Sequence, residues 1–185
     1  MNENLKSDPR YKNHESRPDL AGEHPLGDTY QMIGMAVFVI AIIVDLLWVK
    51  STVPLKVIFG SWIRLSLGLA VMAFGGWLAL YGIHIVFSEY TEEPRMITRH
   101  LFSAVRHPVY LGAIVVYIGL LIITLSPLGI IVFIGIIFLY DWLARDEEAR
   151  MLKIFGDRYR AYIHRVPRWL PRFFGSKPDG SESLN

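Results

Sequence analysis

The stretch AVRHPVYLGAIVVYIGLLIITL, residues 104–125, decides how the chain is read. From Val109 onward it is apolar enough for lipid, yet it opens on Arg106, His107, Pro108 and Tyr110. Pro108 suits a first helical position, where its missing N–H costs nothing. The start of a helix carries unsatisfied N–H groups and partial positive charge, which favours an anion. Arg106 adds a fork suited to carboxylate or phosphate. His107 adds a donor or base, and Tyr110 an aromatic face with a hydroxyl. A membrane helix that begins this way presents chemistry at the bilayer surface.

The whole chain supports that setting. Its 185 residues are 52% hydrophobic and 19% charged, the profile of an integral membrane protein. A net charge of +2 is too small to point to nucleic acid, and none is expected as a partner. The chain has no cysteine, which removes disulfides, thiolate catalysis, cysteine zinc sites and iron–sulfur clusters. No metal site is expected.

Apolar runs lie at about residues 30–49, 58–87, 109–125 and 128–143. A spanning helix needs about 20 residues. The first two runs qualify. The last two are short and separated by Ser126-Pro127, and they read as a tilted helical hairpin. The expected fold is therefore an all-α integral membrane protein with about four transmembrane helices, followed by C-terminal cytoplasmic amphipathic helices. Residues 1–29 read as a disordered polar cytoplasmic tail, 30–87 as a first transmembrane hairpin, 88–174 as a ligand-binding half, and 175–185 as a second tail. Lys and Arg concentrate in the N-terminal tail, between runs two and three, and after run four, so both termini are expected in the cytoplasm. Lys50 and Lys56, in the first loop, run against that pattern.

Gly75-x-x-x-Ala79 lets helix backbones approach closely, and packing within the chain is favoured over a dimer face. Oligomeric state is otherwise left open. Asp45 and Arg64 fall at similar depth in the first hairpin, where an ion pair would lower the cost of each charge. His84, near the cytoplasmic end of run two, reads as a packed histidine rather than a pocket wall. After run four, DWLARDEEARMLKIFG is an amphipathic helix ended by Gly156, with Asp157 as N-cap of a second short helix. WLPRFF, residues 169–174, suits the lipid surface.

Glu147 and Glu148 stand beside the membrane where run four ends, at the same surface as the start of run three. A cationic cluster and an acidic pair thus converge from two ends of one hairpin. That arrangement suits a zwitterionic ligand, its carboxylate toward Arg106 and its ammonium toward a glutamate.

Four blocks in this order carry a resemblance. They are Thr98-Arg99-His100-Leu101-Phe102 leading into Arg106-His107-Pro108-Val109-Tyr110-Leu111-Gly112, then Glu147-Glu148, then Phe155-Gly156-Asp157-Arg158-Tyr159-Arg160-Ala161-Tyr162, and Val166-Pro167-Arg168 with Pro171. Over about residues 96–171 the chain resembles the membrane methyltransferases that include isoprenylcysteine carboxyl methyltransferase and the phospholipid N-methyltransferases. The resemblance implies S-adenosylmethionine as methyl donor. It implies a donor site of Arg106, His107, Pro108, Tyr110, Glu147, Glu148, Tyr159 and Tyr162, with Arg106, His107 and Glu148 nearest the chemistry. The aromatic rings among these suit a sulfonium and an adenine. It also implies a lipophilic acceptor arriving from the bilayer, an isoprenylcysteine carboxylate or a phospholipid amine. The sequence departs from the pattern in two places. His100 stands where relatives often carry a glycine, beside Phe102 at the place of an aromatic, and Leu143 stands where the isoprenylcysteine enzymes tend to carry an arginine.

Two other readings fit the residues less well. One is a nicotinamide-dependent reductase, since the sterol reductases have a similar C-terminal architecture. The other is a non-catalytic membrane protein whose basic tail binds lipid or a partner.

Overall fold

The computed structural model describes residues 22, 24–49, 60–88 and 93–171. These form five α-helices: α1 (Gly27–Val44), α2 (Ser61–Phe87), α3 (Pro108–Thr124), α4 (Pro127–Phe155) and α5 (Asp157–Arg165). A π-helical turn, Asp45–Val49, extends α1, and a 3-10 turn, His100–Ser103, precedes α3. Among the described residues there is no strand.

Three helical segments are long and apolar enough to cross a membrane: Gly27–Trp48, Ser61–Phe87 and Pro127–Phe155. Helix α3 has 17 residues, about 26 Å at 1.5 Å per residue, a little short of a hydrocarbon core of about 30 Å. The tight connection to α4 is made by Leu125, left-handed at φ 53°, whose N–H bonds the Leu121 carbonyl at 2.7 Å. Ser126 then caps α4 by accepting the Gly129 N–H at 3.0 Å. The same hydroxyl donates to Asp45 Oδ2 at 2.6 Å, which ties the buried carboxylate at the end of α1 to the hairpin. Arg64 donates to the Ile123 carbonyl at 2.7 Å. Each intramembrane charge thus anchors its own helix to the turn between α3 and α4.

Helices α2 and α3 touch backbone to backbone. Gly68 and Gly75 on α2 face Gly119 and Gly112 on α3. A Cβ built on Gly75 would stand 2.7 Å from the Gly112 carbonyl, and one on Gly112 would stand 2.5 Å from the Ala79 nitrogen. The small face of α2 is therefore used within the chain. Helices α1, α3 and α4 share a core of Phe38, Ile42, Tyr110, Tyr117, Ile136, Tyr140, Leu143 and Ala144. Phe38 meets Tyr117 edge-on, with centroids 4.8 Å apart.

Helix α4 corrects one expectation. The apolar span and the amphipathic helix after it are one helix of 29 residues, about 44 Å long. No glycine or proline stands between Gly135 and Gly156 to break it, so its charged C-terminal turns rise rigidly out of the apolar slab. Gly156, at φ 54°, ends α4 as expected. It also occupies the cap of α5, so Asp157 is the first helical residue rather than the N-cap. A second correction concerns the tail assigned to residues 1–29. His24 packs its ring against Tyr30 and Trp142, and α1 already begins at Gly27. Residues 1–21 and 23 of that tail, Lys50, Lys56 and residues 172–185 lie outside the described residues.

Candidate active site

The extended segment before α3 delivers Arg106 and His107 to the charged end of α4. Arg106 is fixed from both sides: its backbone N–H donates to the Pro167 carbonyl at 2.9 Å. Its guanidinium donates through Nε to Glu148 Oε1 at 2.9 Å and through Nη1 to the carbonyls of Val166 (2.6 Å) and Ile163 (3.2 Å). The segment after α5 is thereby strapped to the start of α3.

Glu148 is the hub. Oε1 also meets His107 Nε2 at 3.1 Å and Arg168 Nε at 2.9 Å, while Oε2 receives Arg168 Nη2 at 2.7 Å. Arg168 reaches on to Asp141 Oδ1 at 2.9 Å, an oxygen that Trp169 Nε1 also approaches at 3.4 Å. The side chains of Arg106 and Glu148 are each only 8% exposed. A buried carboxylate among three cationic donors is costly to break because each partner would be left desolvated. The hydrogen bonds that Arg168 donates to Glu148 raise the pKa of Arg168 further.

His107 lies between the two glutamates, with Nδ1 3.4 Å from Glu147 Oε2. Burial by itself pulls its pKa down. The hydrogen bonds and charges of Glu147 and Glu148 outweigh that, and the net value is raised above 6.5. The Tyr110 hydroxyl donates to Glu147 Oε1. The Tyr110 ring stacks on His107 at 5.6 Å and on Tyr140 at 5.3 Å, which sets the imidazole's plane. Tyr159 and Tyr162 form a buried pair behind this layer. Burial pushes the Tyr162 pKa up to about 12, so its hydroxyl stays a neutral donor to the Phe102 carbonyl at 2.5 Å.

Two adjoining clefts open on this cluster. The larger, about 300 Å³, is walled by His107, Tyr110 and Glu147 on one side and by Asp28, Ile83 and Phe87 on the other. The smaller, about 130 Å³, is walled by Phe102, Glu147, Met151, Tyr159 and Tyr162. Arg106, His107, Glu147, Val86 and Phe102 border both.

All eight residues expected at the site are thus in one region, but they divide. Glu147, His107 and Tyr110 face the clefts. Arg106 and Glu148 neutralise one another and hold the frame, rather than standing as separate cationic and anionic ends. Sequence reasoning missed Asp141 and Trp169, and it gave Arg168 no role beyond its block. It also missed His24, Asp28 and Gln31, which border the larger cleft. The charged stripe of α4 marked Asp141. Nothing in the sequence marked the N-terminal residues.

Fold and site together define a helical membrane protein with a buried ion cluster and two clefts at the mouth of the α3–α4 hairpin. A family model described as phospholipid methyltransferase matches residues 63–158, just over half of the 185 residues. The chain belongs to the phospholipid methyltransferase family. That match begins in α2, further toward the N-terminus than the four sequence blocks reach. The chain is 28% identical over 131 residues to protein-S-isoprenylcysteine O-methyltransferase of Mus musculus, covering 70% of this chain and 44% of the relative. It is 30% identical over 123 residues to methanethiol S-methyltransferase 1 of Bradyrhizobium diazoefficiens, covering 58% of this chain and 42% of that protein. It therefore spans less than half the length of these relatives. Its fold is similar to the solved structure of a eukaryotic intramembrane Ras methyltransferase, isoprenylcysteine carboxyl methyltransferase. The TM-score is 0.58 at 24% identity, covering 81% of this chain and 55% of that one.

Proposed function

We propose that the protein transfers a methyl group from S-adenosylmethionine to a lipophilic acceptor at the cytoplasmic face of a membrane, with both termini on that face. The observation that carries this reading is the convergence of His107 and Glu147 on both clefts, with Tyr110 on the larger, held by the Arg106–Glu148–Arg168 frame. The residues present fit the donor. Glu147 offers a carboxylate to an ammonium, and the protonated form of His107 is a cation for a carboxylate. The rings of Phe102, Tyr159 and Tyr162 line a space suited to a flat base. The larger cleft is at the lower end of the usual ligand-pocket range of about 300–1,000 Å³.

When bound, S-adenosylmethionine supplies an electrophilic methyl on a sulfonium. The chain's own part is positioning and exclusion of water. Arg106 and Arg168 keep Glu148 ionised and in place, and Glu148 with Glu147 keeps the His107 ring where both clefts meet. Ile83, Val86, Phe87 and Val109 give the larger cleft an apolar flank for an acceptor's hydrocarbon. A carboxylate acceptor, of the isoprenylcysteine kind, needs only a cation to place it. An amine acceptor, of the phospholipid kind, must lose a proton, and Glu147 or neutral His107 is placed to accept it.

The test is transfer of labelled methyl from S-adenosylmethionine into prenylcysteine and aminophospholipid acceptors by the purified protein. Label should enter one acceptor class and fall by about a hundredfold or more in Glu147→Gln. No transfer to either class by folded protein would refute the assignment.

A further inference from the structure

A third cavity, about 400 Å³, lies between the C-terminal end of α2 and the segment 95–100, where Arg95 and Ile97 divide it from the smaller cleft. Its walls include His84 and Ser88 from α2, and Arg95, Arg99 and His100 from the segment. Among the described residues no aspartate or glutamate lines it. Arg95 is held in place by donating Nη2 to the Val86 carbonyl at 2.8 Å. Arg99, His100, His84 and Ser88 are exposed. His84 is thus a cavity wall and not a packed core histidine.

The cavity continues into an apolar strip. Phe74, Trp77 and Tyr81 stand on the same face of α2 as His84 and Ser88. Their rings stack in sequence, Phe74 on Trp77 at 6.0 Å and Trp77 on Tyr81 at 5.7 Å. Phe74 and Trp77 are about half exposed, and Tyr81 borders the cavity itself. From Phe74 to Tyr81 the helix rises about 10 Å. The strip runs from the cavity toward the middle of a membrane-spanning helix, so the arginines of the segment 95–100 stand at the water level above a flat aromatic track on α2.

We propose that this face holds one anionic glycerophospholipid, with its phosphate among His84, Ser88, Arg95 and Arg99 and an acyl chain along Phe74, Trp77 and Tyr81. The charge is complementary to phosphate, and the depth of the aromatic track matches the first half of a chain attached to a headgroup in the cavity. A basic residue near the membrane surface contributes attraction to anionic lipid. The lipid sits on the outer face of α2 and does not depend on methyl transfer.

The test is quenching of Trp77 fluorescence, obtained as the difference between the unaltered protein and Trp77→Phe. Both are placed in phosphatidylcholine vesicles containing a minor fraction of tail-brominated phosphatidylglycerol or of tail-brominated phosphatidylcholine. The brominated anionic lipid should quench at a lower fraction than the neutral one. Arg99→Gln alone should weaken that preference about fivefold, and Arg99→Gln with His84→Gln should abolish it. Inorganic phosphate at matched ionic strength should leave it unchanged. Equal quenching by the two lipids, or a preference that survives in the double variant, would overturn the proposal. Loss of the preference on adding inorganic phosphate would identify a site for soluble anions and overturn the lipid assignment.

Discussion

Glu148→Gln tests the frame on which the site rests. The substitution keeps size and shape, so the loss is one of charge and hydrogen-bond sense. Oε1 takes donors from Arg106, His107 and Arg168, and Oε2 takes Arg168 Nη2 at 2.7 Å. Glutamine can keep the carbonyl in the crowded position. Its amide then faces Arg168 Nη2, donor against donor, and the buried Arg106 loses its only ion-pair partner among the described residues. Breaking a buried pair by removing one partner costs about 3–5 kcal/mol. Arg168 keeps Asp141 and is 25% exposed, which points to the lower end, about 3 kcal/mol. For a chain of this size that corresponds to a fall in Tm of about 6–12 °C. The assay is thermal unfolding in detergent, followed by loss of the monodisperse peak. Arg160→Gln is the control, because Arg160 and Asp157 pair at 3.3 Å with both side chains largely exposed. If Glu148→Gln shifts Tm no more than this control, the cluster does not hold the site together.

Other predictions follow from the same structure. The folded pKa of His107 is raised, so its pairing with Glu147 and Glu148 stabilises fully below pH 6.5 and is lost as pH rises through the raised value. Tm measured against pH should show that decline, and Glu147→Gln should move it to lower pH. Gly112→Ala should destabilise by about 1–3 kcal/mol, because the new Cβ meets backbone of α2 that cannot yield, whereas Gly76→Ala meets nothing within 4 Å and should be neutral or mildly stabilising. Thermal unfolding of the two alanine variants checks the pair. His100 is left-handed at φ 56°, a conformation that costs a non-glycine residue about 1–2 kcal/mol. His100→Gly should hold or raise Tm and His100→Val should lower it.

The His100 angle also gives a physical account of a sequence departure. The family resemblance implies glycine at this place, and the backbone here is one that glycine adopts without strain. Local features such as this, the Ser126-Pro127 turn and the Gly156 stop were legible because turn chemistry is written in single residues. The approach of the Arg-His-Pro block to the Glu pair was legible because a short hairpin must return to the surface it left. The continuity of α4 was not. Its change from apolar to charged looks like an end, but polarity does not stop a helix without a breaker. Arg168 and Asp141 stand 27 residues apart with no shared periodicity, so their part in the frame needed coordinates. The same holds for Arg106 and Glu148. Charge alone suggested two ends of a ligand site, whereas distance shows them satisfying one another.

The most direct measurement is calorimetric binding of S-adenosylhomocysteine to the purified protein in detergent, with NADPH as the comparison ligand. The account predicts saturable binding of S-adenosylhomocysteine, lost in Glu147→Gln and His107→Ala variants that remain monodisperse, and none of NADPH. Binding of NADPH alone, or S-adenosylhomocysteine binding that both variants keep, would contradict it.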